Sequence, residues 1–472
     1  MLFQTLEFFI FFCVVATFSF VYRGSVRKWM LLAASYNFYM AWNPRFGALL
    51  ATTTLIDYFC ALRMEATEAR RSRKLWLALS LVSNLGLLGA FKYLGFLNEM
   101  VNDFLRFFRI ESHVELWHLT LPVGISFFTF QSMSYTIDVY RRELPAQRSL
   151  RDFALYVAFF PQLVAGPIVR ATCFLPQLRT DPVFDPKALV DGIERVLIGL
   201  VKKVVVADNL AALADVVFSA PGAVDTPMAW LGTVCFGLQV YLDFSGYSDM
   251  AIGLAGILGY RIPENFRLPY LSTDPAEFWH RWHISLSSWL RDYVYPALGG
   301  YRRSRARRLI SLVLTMLLGG LWHGAHFHFV LWGLGHGLLL AIQRLLSPWT
   351  QRLRRLPGQR VLGWFVLTVV VFALWVPFRA ASTHDALILL NKMFVSWTVS
   401  FDTTSLTNIN LPFIYSLLAA VVVVHLVALL AAAWAERLRG VLAVRAVLWG
   451  ALAFALLQFR HDGLVPFVYF QF

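Results

Sequence analysis

One short segment of the chain carries three histidines in otherwise apolar surroundings. His323, His326 and His328 lie within a 35-residue stretch, 309–343, that contains no Lys, Arg, Asp or Glu. Burying a polar side chain at membrane depth is costly, so an ionisable group there is a functional candidate. Glycines precede and follow His323 in the sequence, and they are expected to weaken the helix around it. A neutral imidazole in such a place can remove a proton near neutral pH.

A second polar segment covers residues 277–293. It is too polar to cross a bilayer, and we predict a re-entrant or interfacial helix that lines a cavity. At helical spacing, Trp282, Ser285 and Trp289 share one face, and His280, His283 and Ser287 share another. A plain amphipathic surface helix explains the same spacing, so the pattern leaves both alternatives open.

A third polar segment runs from Tyr241 to Gly253 and places two carboxylates, Asp243 and Asp249, in an apolar stretch. The glycines in and after it permit close backbone approach. Ion pairing with Arg261 or Arg281 is the simpler explanation for the carboxylates and is favoured over direct catalysis.

The elements that must position these segments are membrane helices. Hydrophobic residues make up 58% of the chain, charged residues 15%, and the mean hydropathy is +0.59, whereas soluble domains carry about 25% charged residues. We predict one all-α integral membrane domain over 1–472, with the motif region at 241–337 and about ten to twelve crossings, some of them re-entrant. The predicted spans are 3–22, 29–43, 46–62, 75–95, 119–138, 152–168, 188–206, 227–258, 309–343, 361–378, 411–434 and 441–458.

The net charge of +14 indicates topology rather than nucleic-acid binding, because the basic clusters fall between apolar spans. The clusters are Arg23–Lys28, Arg63–Lys74, Lys202–Lys203, Arg302–Arg308 and Arg344–Arg360. Basic loops face the cytoplasm, which predicts an N-terminus on the outer side. Both flanks of 309–343 are basic, so this stretch must enter the membrane and return. The 14 helical steps from Leu309 to His323 rise about 21 Å, which puts His323 deep in the membrane.

The first span and the cysteines carry little chemistry. The first span lacks a basic n-region, and we expect a permanent helix rather than a cleaved signal peptide. The cysteines are expected in the core, with neither a disulfide framework nor a zinc site. They are Cys13, Cys60, Cys173 and Cys235.

Taken together, the three polar segments resemble the membrane-bound O-acyltransferase (MBOAT) family, and most closely its bacterial branch that acetylates alginate and other polysaccharides. The most specific segments are Tyr241–Gly253, Glu264–Tyr270, Glu277–Tyr295 and Met316–Gly337. Weaker similarity covers Leu121–Arg142, Phe159–Arg170 and the ending Phe467–Phe472.

The resemblance implies a ring of tilted helices around a central tunnel, and it implies roles for two histidines. His323 matches the family's general base, and His283 matches its second polar position. We expect His283 to orient the acceptor or to polarise the carbonyl. Two positions depart from the branch pattern: His326 stands where asparagine is common, and His280 where arginine is common. These departures bear on the substrate and not on the reaction class.

The resemblance also implies a donor and a partner. The branch takes acetyl groups, with cytoplasmic acetyl-CoA as the expected donor and no resident cofactor or metal. It passes them across the bacterial inner membrane to an exported polysaccharide, usually with a periplasmic acetyltransferase partner. The acceptor is open among alginate, cellulose and peptidoglycan.

Further side chains are candidates for substrate binding. Trp279, Trp282 and Trp289 are expected to wall the tunnel, and Arg281 and Arg291 to meet the donor's phosphates. The remaining substrate-binding candidates are Ser285, Asp243 and Asp249.

Other chemistries fit the sequence less well. Ser245 lacks the G-x-S-x-G context of a nucleophile elbow, and the spacing of His323, His326 and His328 does not place all three on one helical face. The isolated histidines are expected to be structural or exposed; they are His336, His384, His425 and His461. Two alternatives from other classes remain: an exporter or proton-coupled transporter, although no paired half repeats are detectable, and a scaffold subunit active only with its partner.

Overall fold

The computed structural model describes residues 1–110, 120–301, 304–353, 357–399, 409–431, 441–461, 463 and 465–468, with side chains left out at 349–353 and 442. Every regular element in these ranges is a helix, which confirms the all-α prediction. The described chain separates into two compact units. The first unit comprises 1–195 and 250–264, and the second comprises 196–249 and 265–472. The prediction of a single domain stays a prediction.

The first unit is built from the N-terminal helices. Its longer helices are α1 (Leu6–Val21), α2 (Gly24–Met40), α3 (Pro44–Glu65), α4 (Arg70–Phe107), α5 (Ile125–Arg141) and α6 (Leu150–Ala158). Shorter ones follow: α7 (Phe160–Leu163), α8 (Ala171–Phe174) and the 3₁₀ helix Leu175–Arg179. Helix α9 (Pro186–Leu200) begins in this unit.

The second unit holds the three polar segments. It begins with the π-helix Val201–Ala207, α10 (Asp208–Ser219) and most of α11 (Thr226–Ile257). The 3₁₀ helix Pro269–Leu271, α12 (Pro275–Arg281), α13 (Ile284–Trp289), the π-helix Leu290–Val294 and α14 (Tyr295–Ala297) follow. The last helices are α15 (Arg305–His323), α16 (Phe327–Leu353), α17 (Gln359–Arg379), α18 (Thr383–Phe394), α19 (Leu411–Leu430) and α20 (Leu442–Phe459).

Within the described ranges, four helices are long and apolar enough to cross a bilayer: α4, most of α16, α17 and α19. The other predicted spans coincide with helices, except that 152–168 breaks at Phe159 before Pro161 and loses helical structure after Leu163. Residues 119 and 432–434 lie outside the described residues. The number of crossings, the ring and the tunnel stay predictions.

The predicted return within 309–343 is a helical hairpin, α15 followed by α16. Gly319 and Gly320 do not break α15, which continues to His323. A Cβ atom on Gly320 would lie 2.3 Å from the carbonyl oxygen of Phe329, and one on Gly333 would lie 2.5 Å from that of Met316. Gly320 and Gly333 therefore serve close helix packing. The expectation that Gly319 and Gly320 weaken the helix is wrong, whereas the helix does end where Gly324 follows His323.

Candidate active site

The histidine of the hairpin lies at the end of α15. The helix stops at His323, and Gly324 continues in an extended conformation with φ −164°. A Cβ atom on Gly324 would lie 1.9 Å from the ring of Phe329, so glycine is required here for space. From Arg305 to His323 the helix rises about 27 Å, close to the thickness of the hydrocarbon core. The depth of His323 in a membrane stays a prediction.

An aromatic cage surrounds His323, which is 4% exposed. The imidazole centroid lies 4.9 Å from the ring of Trp322, 5.0 Å from that of Trp332 and 5.2 Å from that of Phe378. Trp332 itself packs against Phe378 at 5.1 Å. Edge-on packing of this kind fixes a ring orientation while it excludes water.

The second polar segment is not one helix, which corrects the prediction of two shared faces. Helix α12 ends at Arg281, Trp282 is extended, and His283 adopts the left-handed region with φ 42° and ψ 56° before α13 begins. Because of this break, His280 is exposed while His283 is fully buried. His280 Nδ1 donates to the carbonyl oxygen of Ala276 at 2.6 Å.

Asn265 connects to His283 and the start of α13. Its Oδ1 atom lies 3.1 Å from His283 Nδ1, and it accepts hydrogen bonds from the Ser285 backbone N–H at 3.2 Å and the Ser285 hydroxyl at 2.9 Å. Its Nδ2 donates to Ser248 Oγ at 3.1 Å, and its backbone carbonyl accepts from Ile284 N at 2.8 Å. Asn265 is itself fully buried.

These contacts determine the tautomer of His283. A backbone N–H can only donate, so the Asn265 atom facing Ser285 N must be the oxygen. The same oxygen faces His283 Nδ1, which must therefore carry the proton in the neutral ring. Nε2 of His283 is then a hydrogen-bond acceptor.

The two histidines share one aromatic neighbour. The Trp322 ring centroid lies 6.3 Å from that of His283 and 4.9 Å from that of His323. On another side, His283 meets Phe244 of α11 edge-on at 4.6 Å. Phe467 packs against Phe244 at 5.5 Å, so part of the resembling segment 467–472 lies next to this site; residues 469–472 are outside the described residues.

A cavity of about 560 Å³ opens beside this cluster, within the size range of ligand pockets. Trp279 forms part of its wall and packs against Trp332 at 5.8 Å, so two rings connect the cavity to the His323 cage. Polar groups that line it come from two places in the second unit. They include His280, Ser287, Ser288 and Arg291 on one side, and Gln343, Arg344 and Ser347 of α16 on the other.

The remaining candidates of the second polar segment lie elsewhere. Arg281 pairs with Glu277 at 2.8 Å and donates to the Arg267 carbonyl at 3.2 Å, and it is not among the residues that line the cavity. Trp282 packs on Trp375 at 4.9 Å, and Trp289 packs on Tyr293 at 5.2 Å. Both tryptophans are buried, and neither lines this cavity.

Lysines, rather than Arg261 or Arg281, pair with the two carboxylates of α11, which corrects that prediction. Asp249 pairs with Lys202 at 2.6 Å. Asp243 pairs with Lys203 at 2.8 Å and accepts from the Val468 backbone N–H at 2.7 Å. Lys203 reaches both Asp243 and Asp208 because the π-helix at 201–207 widens the turn there. The sequence offered no sign of this widened turn.

Three functional candidates were not recognised in the sequence. Asn265 lies in a proline-bounded loop without periodicity, so only its place in the resembling segment pointed to it. Trp332 and His336 are spaced one helical turn apart in α16, a signal that ordinary core packing also produces. His336 is 1% exposed and packs against Trp332 at 4.9 Å and Trp279 at 5.0 Å.

Comparison with known proteins identifies the class to which this fold and site belong. The chain matches the model of the MBOAT, membrane-bound O-acyltransferase family over residues 31–376. It belongs to that family and is a membrane-bound acyltransferase.

Named relatives cover most of the chain. It is 45% identical over 390 residues to the probable alginate O-acetylase AlgI of Pseudomonas aeruginosa, covering 81% of this chain and 72% of that one. It is 44% identical over 405 residues to the protein of the same name from Azotobacter vinelandii, covering 84% and 79%. It is also 36% identical over 395 residues to the peptidoglycan O-acetyltransferase of Helicobacter pylori, covering 78% and 73%.

Proposed function

We propose that this protein is an O-acetyltransferase of the bacterial inner membrane that supplies acetyl groups to an exported polysaccharide. Acetyl-CoA on the cytoplasmic side is the donor in this proposal. The observation that carries it is the buried His323, which contacts the cavity wall through the rings of Trp332 and Trp279. Two exposed arginines, Arg291 and Arg344, line the same cavity. The names of the relatives, alginate O-acetylase and peptidoglycan O-acetyltransferase, support the acetyl group and the polymer class.

The reaction is acyl transfer from a thioester to a hydroxyl. The hydroxyl oxygen attacks the carbonyl carbon while a base removes its proton, and a tetrahedral oxyanion forms. Collapse of the oxyanion breaks the carbon–sulfur bond, and the CoA thiolate leaves and takes up a proton. The protein must therefore supply a base and a donor to the oxyanion.

His323 is the proposed base, because its cage holds the imidazole in one place away from water. His283 has its lone pair on Nε2, so it orients the acceptor by receiving the hydroxyl hydrogen bond. Nε2 without a proton cannot donate a hydrogen bond to the carbonyl oxygen. Of the two roles predicted for His283, only the orientation of the acceptor is therefore kept.

The Trp332 indole is the proposed oxyanion donor. Its Nε1 is buried, and no hydrogen-bond partner for it occurs in the described part of the chain. Buried polar groups in native proteins nearly always have partners. The Nε1 atom of Trp279 is buried in the same way, and Trp332 is preferred to it as the donor because its ring contacts His323 at 5.0 Å.

Arg291 and Arg344 are the proposed contacts to the donor's phosphates. Both line the cavity and both are exposed at its edge, where a guanidinium can form paired hydrogen bonds with phosphate oxygens. Arg291 also pairs with Asp292 at 2.8 Å, and its remaining guanidinium N–H groups are left to bind a ligand. Arg281 is withdrawn from this role because it does not line the cavity.

The experiment that tests this function measures CoA release by the purified protein in nanodiscs. Donors should include acetyl-CoA and a long-chain acyl-CoA. Acceptors should include oligomannuronate, cello-oligosaccharide and muropeptide, each with and without a periplasmic acetyltransferase encoded nearby. We expect acetyl-CoA turnover that rises with one acceptor and with the partner.

The outcomes distinguish the alternatives. Turnover only with the partner would make this chain the membrane subunit of a two-protein enzyme. No acetyl-CoA consumption under any condition, together with polysaccharide flux into vesicles, would contradict the proposal in favour of an exporter.

A further inference from the structure

A buried polar cluster in the first unit joins three helices far along the chain from the histidine segments. It consists of Asp57 on α3, Ser80 and Asn84 on α4, and Ser132 and Thr136 on α5, and all five side chains are fully buried. Ser80 Oγ lies 2.6 Å from Asp57 Oδ1 and 3.0 Å from Thr136 Oγ1. The surrounding helices are apolar, so such a cluster at this depth needs an explanation.

The hydrogen bonds around Asp57 are compatible with an ionised carboxylate. Asn84 Nδ2 lies 2.9 Å from both carboxylate oxygens and also donates to the Ser80 carbonyl at 2.9 Å. The Ser80 carbonyl can only accept, so this amide atom is a nitrogen and donates to the carboxylate as well. The 2.6 Å contact with Ser80 has the length typical of a hydroxyl that donates to a carboxylate anion.

An ionised carboxylate in an apolar interior requires a positive partner. No Lys, Arg or His among the described residues forms an ion pair with Asp57; its interactions are with Ser80, Asn84 and Ser132. The Ser132 hydroxyl is completely buried beside the carboxylate, and its oxygen accepts no hydrogen bond within the described ranges. Negative charge and unused oxygen therefore coincide in one place.

We propose that Asp57, Ser80, Ser132 and Thr136 bind a small monovalent cation, Na⁺, between α3, α4 and α5. Carboxylate and hydroxyl oxygens are hard ligands of the kind that alkali and alkaline-earth cations prefer. A single carboxylate balances one positive charge, which favours Na⁺ over a divalent ion. The bound ion stabilises the packing of the three helices. This inference is independent of the acetyl-transfer proposal, because it concerns the first unit and is tested without turnover.

The test measures the thermal unfolding midpoint of the purified full chain in nanodiscs while NaCl replaces choline chloride at constant ionic strength. A ligand that binds only the folded state raises this midpoint in proportion to the logarithm of its concentration above Kd. We expect the wild-type midpoint to rise with Na⁺. Ser132→Ala should need about tenfold more Na⁺ for the same rise, and Asp57→Asn should not respond.

Thr53→Val is the matched control. Thr53 is a buried hydroxyl on the same helix, but it bonds only carbonyls of its own helix, Leu49 and Leu50. It should keep the wild-type response to Na⁺. If Asp57→Asn fails to fold, Ser132→Ala and Thr136→Val decide the test, since they leave the charge unchanged.

Three results would overturn the proposal. Equal midpoints in NaCl and choline chloride would mean that Asp57 is protonated and only links the helices. An equal Na⁺ response in wild type, Ser132→Ala and Asp57→Asn would mean a general salt effect. A larger stabilisation by micromolar CaCl₂ than by NaCl would assign a divalent ion instead.

Discussion

His283 Nδ1 lies 3.1 Å from Asn265 Oδ1, and the same oxygen accepts the backbone N–H of Ser285 at 3.2 Å. A loop residue 18 positions upstream thus sets the proton position on the imidazole. His283 also holds a left-handed backbone, φ 42°, which costs about 1–2 kcal/mol for a residue with a Cβ atom. The bonds of Asn265 to Ser285 and Ile284 stabilise that conformation.

Replacing Asn265 should therefore impair catalysis through His283. We expect Asn265→Ala to lower kcat about 100-fold, because small displacements of a catalytic group cost that much. Asn265→Asp keeps an acceptor for Nδ1 and for Ser285 N, so it should recover much of the loss. Steady-state kinetics with acetyl-CoA measures both variants.

A purely structural role for Asn265 would give another pattern. In that case both variants would lose folded protein and kcat together, and Asp would rescue neither. Ser285→Ala removes one of the bonds to Oδ1 and leaves the backbone donor, so it should cost less than Asn265→Ala.

The indole N–H of Trp332 gives the second prediction. Trp332→Phe keeps an aromatic ring against His323 but removes the donor. If the N–H meets the oxyanion, kcat should fall about 100- to 1,000-fold with little change in the KM for acetyl-CoA. Trp375→Phe is the comparison, since Trp375 packs on Trp332 at 5.9 Å and makes no ring contact with His323 in the described part of the chain. Equal effects of the two changes would contradict the donor role.

Binding of the donor should depend on the arginines of the cavity. We expect Arg291→Ala and Arg344→Ala each to raise the KM for acetyl-CoA about 10- to 100-fold, as is typical for loss of a hydrogen bond to a charged group. The effect should shrink at high salt. Arg281→Ala should leave KM within about twofold of wild type. A KM that responds to Arg281 and not to the other two would contradict the assignment.

Packing of the α15–α16 hairpin gives a stability prediction. Gly320→Ala places a Cβ atom 2.3 Å from a backbone oxygen, so we expect a destabilisation of about 1–3 kcal/mol and loss of activity through displacement of His323. Gly256→Ala in α11 meets no atom within 4 Å and should be neutral or slightly stabilising. Thermal unfolding of the two variants in nanodiscs checks the difference. Equal stability would contradict the packing argument.

The sequence predicted the helices well where a long run of apolar residues is enough to define them. A return within 309–343 was predicted from its basic flanks, and the structure has a helical hairpin there whose turn follows His323. His323 and His283 were selected as candidates because a histidine in an apolar stretch is itself a signal.

The sequence did not predict features that depend on tertiary contacts. A regular 3.6-residue period cannot show that His283 leaves the helix, since the break is stabilised by Asn265 from another loop. The lysine partners of Asp243 and Asp249 depend on the widened turn at 201–207. Asp57 was not recognised as a candidate. It lies inside a predicted span, and one carboxylate hardly changes the mean hydropathy of a long apolar window.

The most direct test of the central claim is acetyl transfer by His323→Ala. CoA release from acetyl-CoA should be measured for wild type, His323→Ala and His384→Ala in nanodiscs, each with the partner and acceptor that support wild-type turnover. His384 is exposed on α18 and serves as the matched histidine control. We predict that His323→Ala loses turnover about 100- to 10,000-fold, as expected for a general base, while its unfolding midpoint and that of the control stay near wild type. Turnover by folded His323→Ala equal to that of His384→Ala would contradict the account.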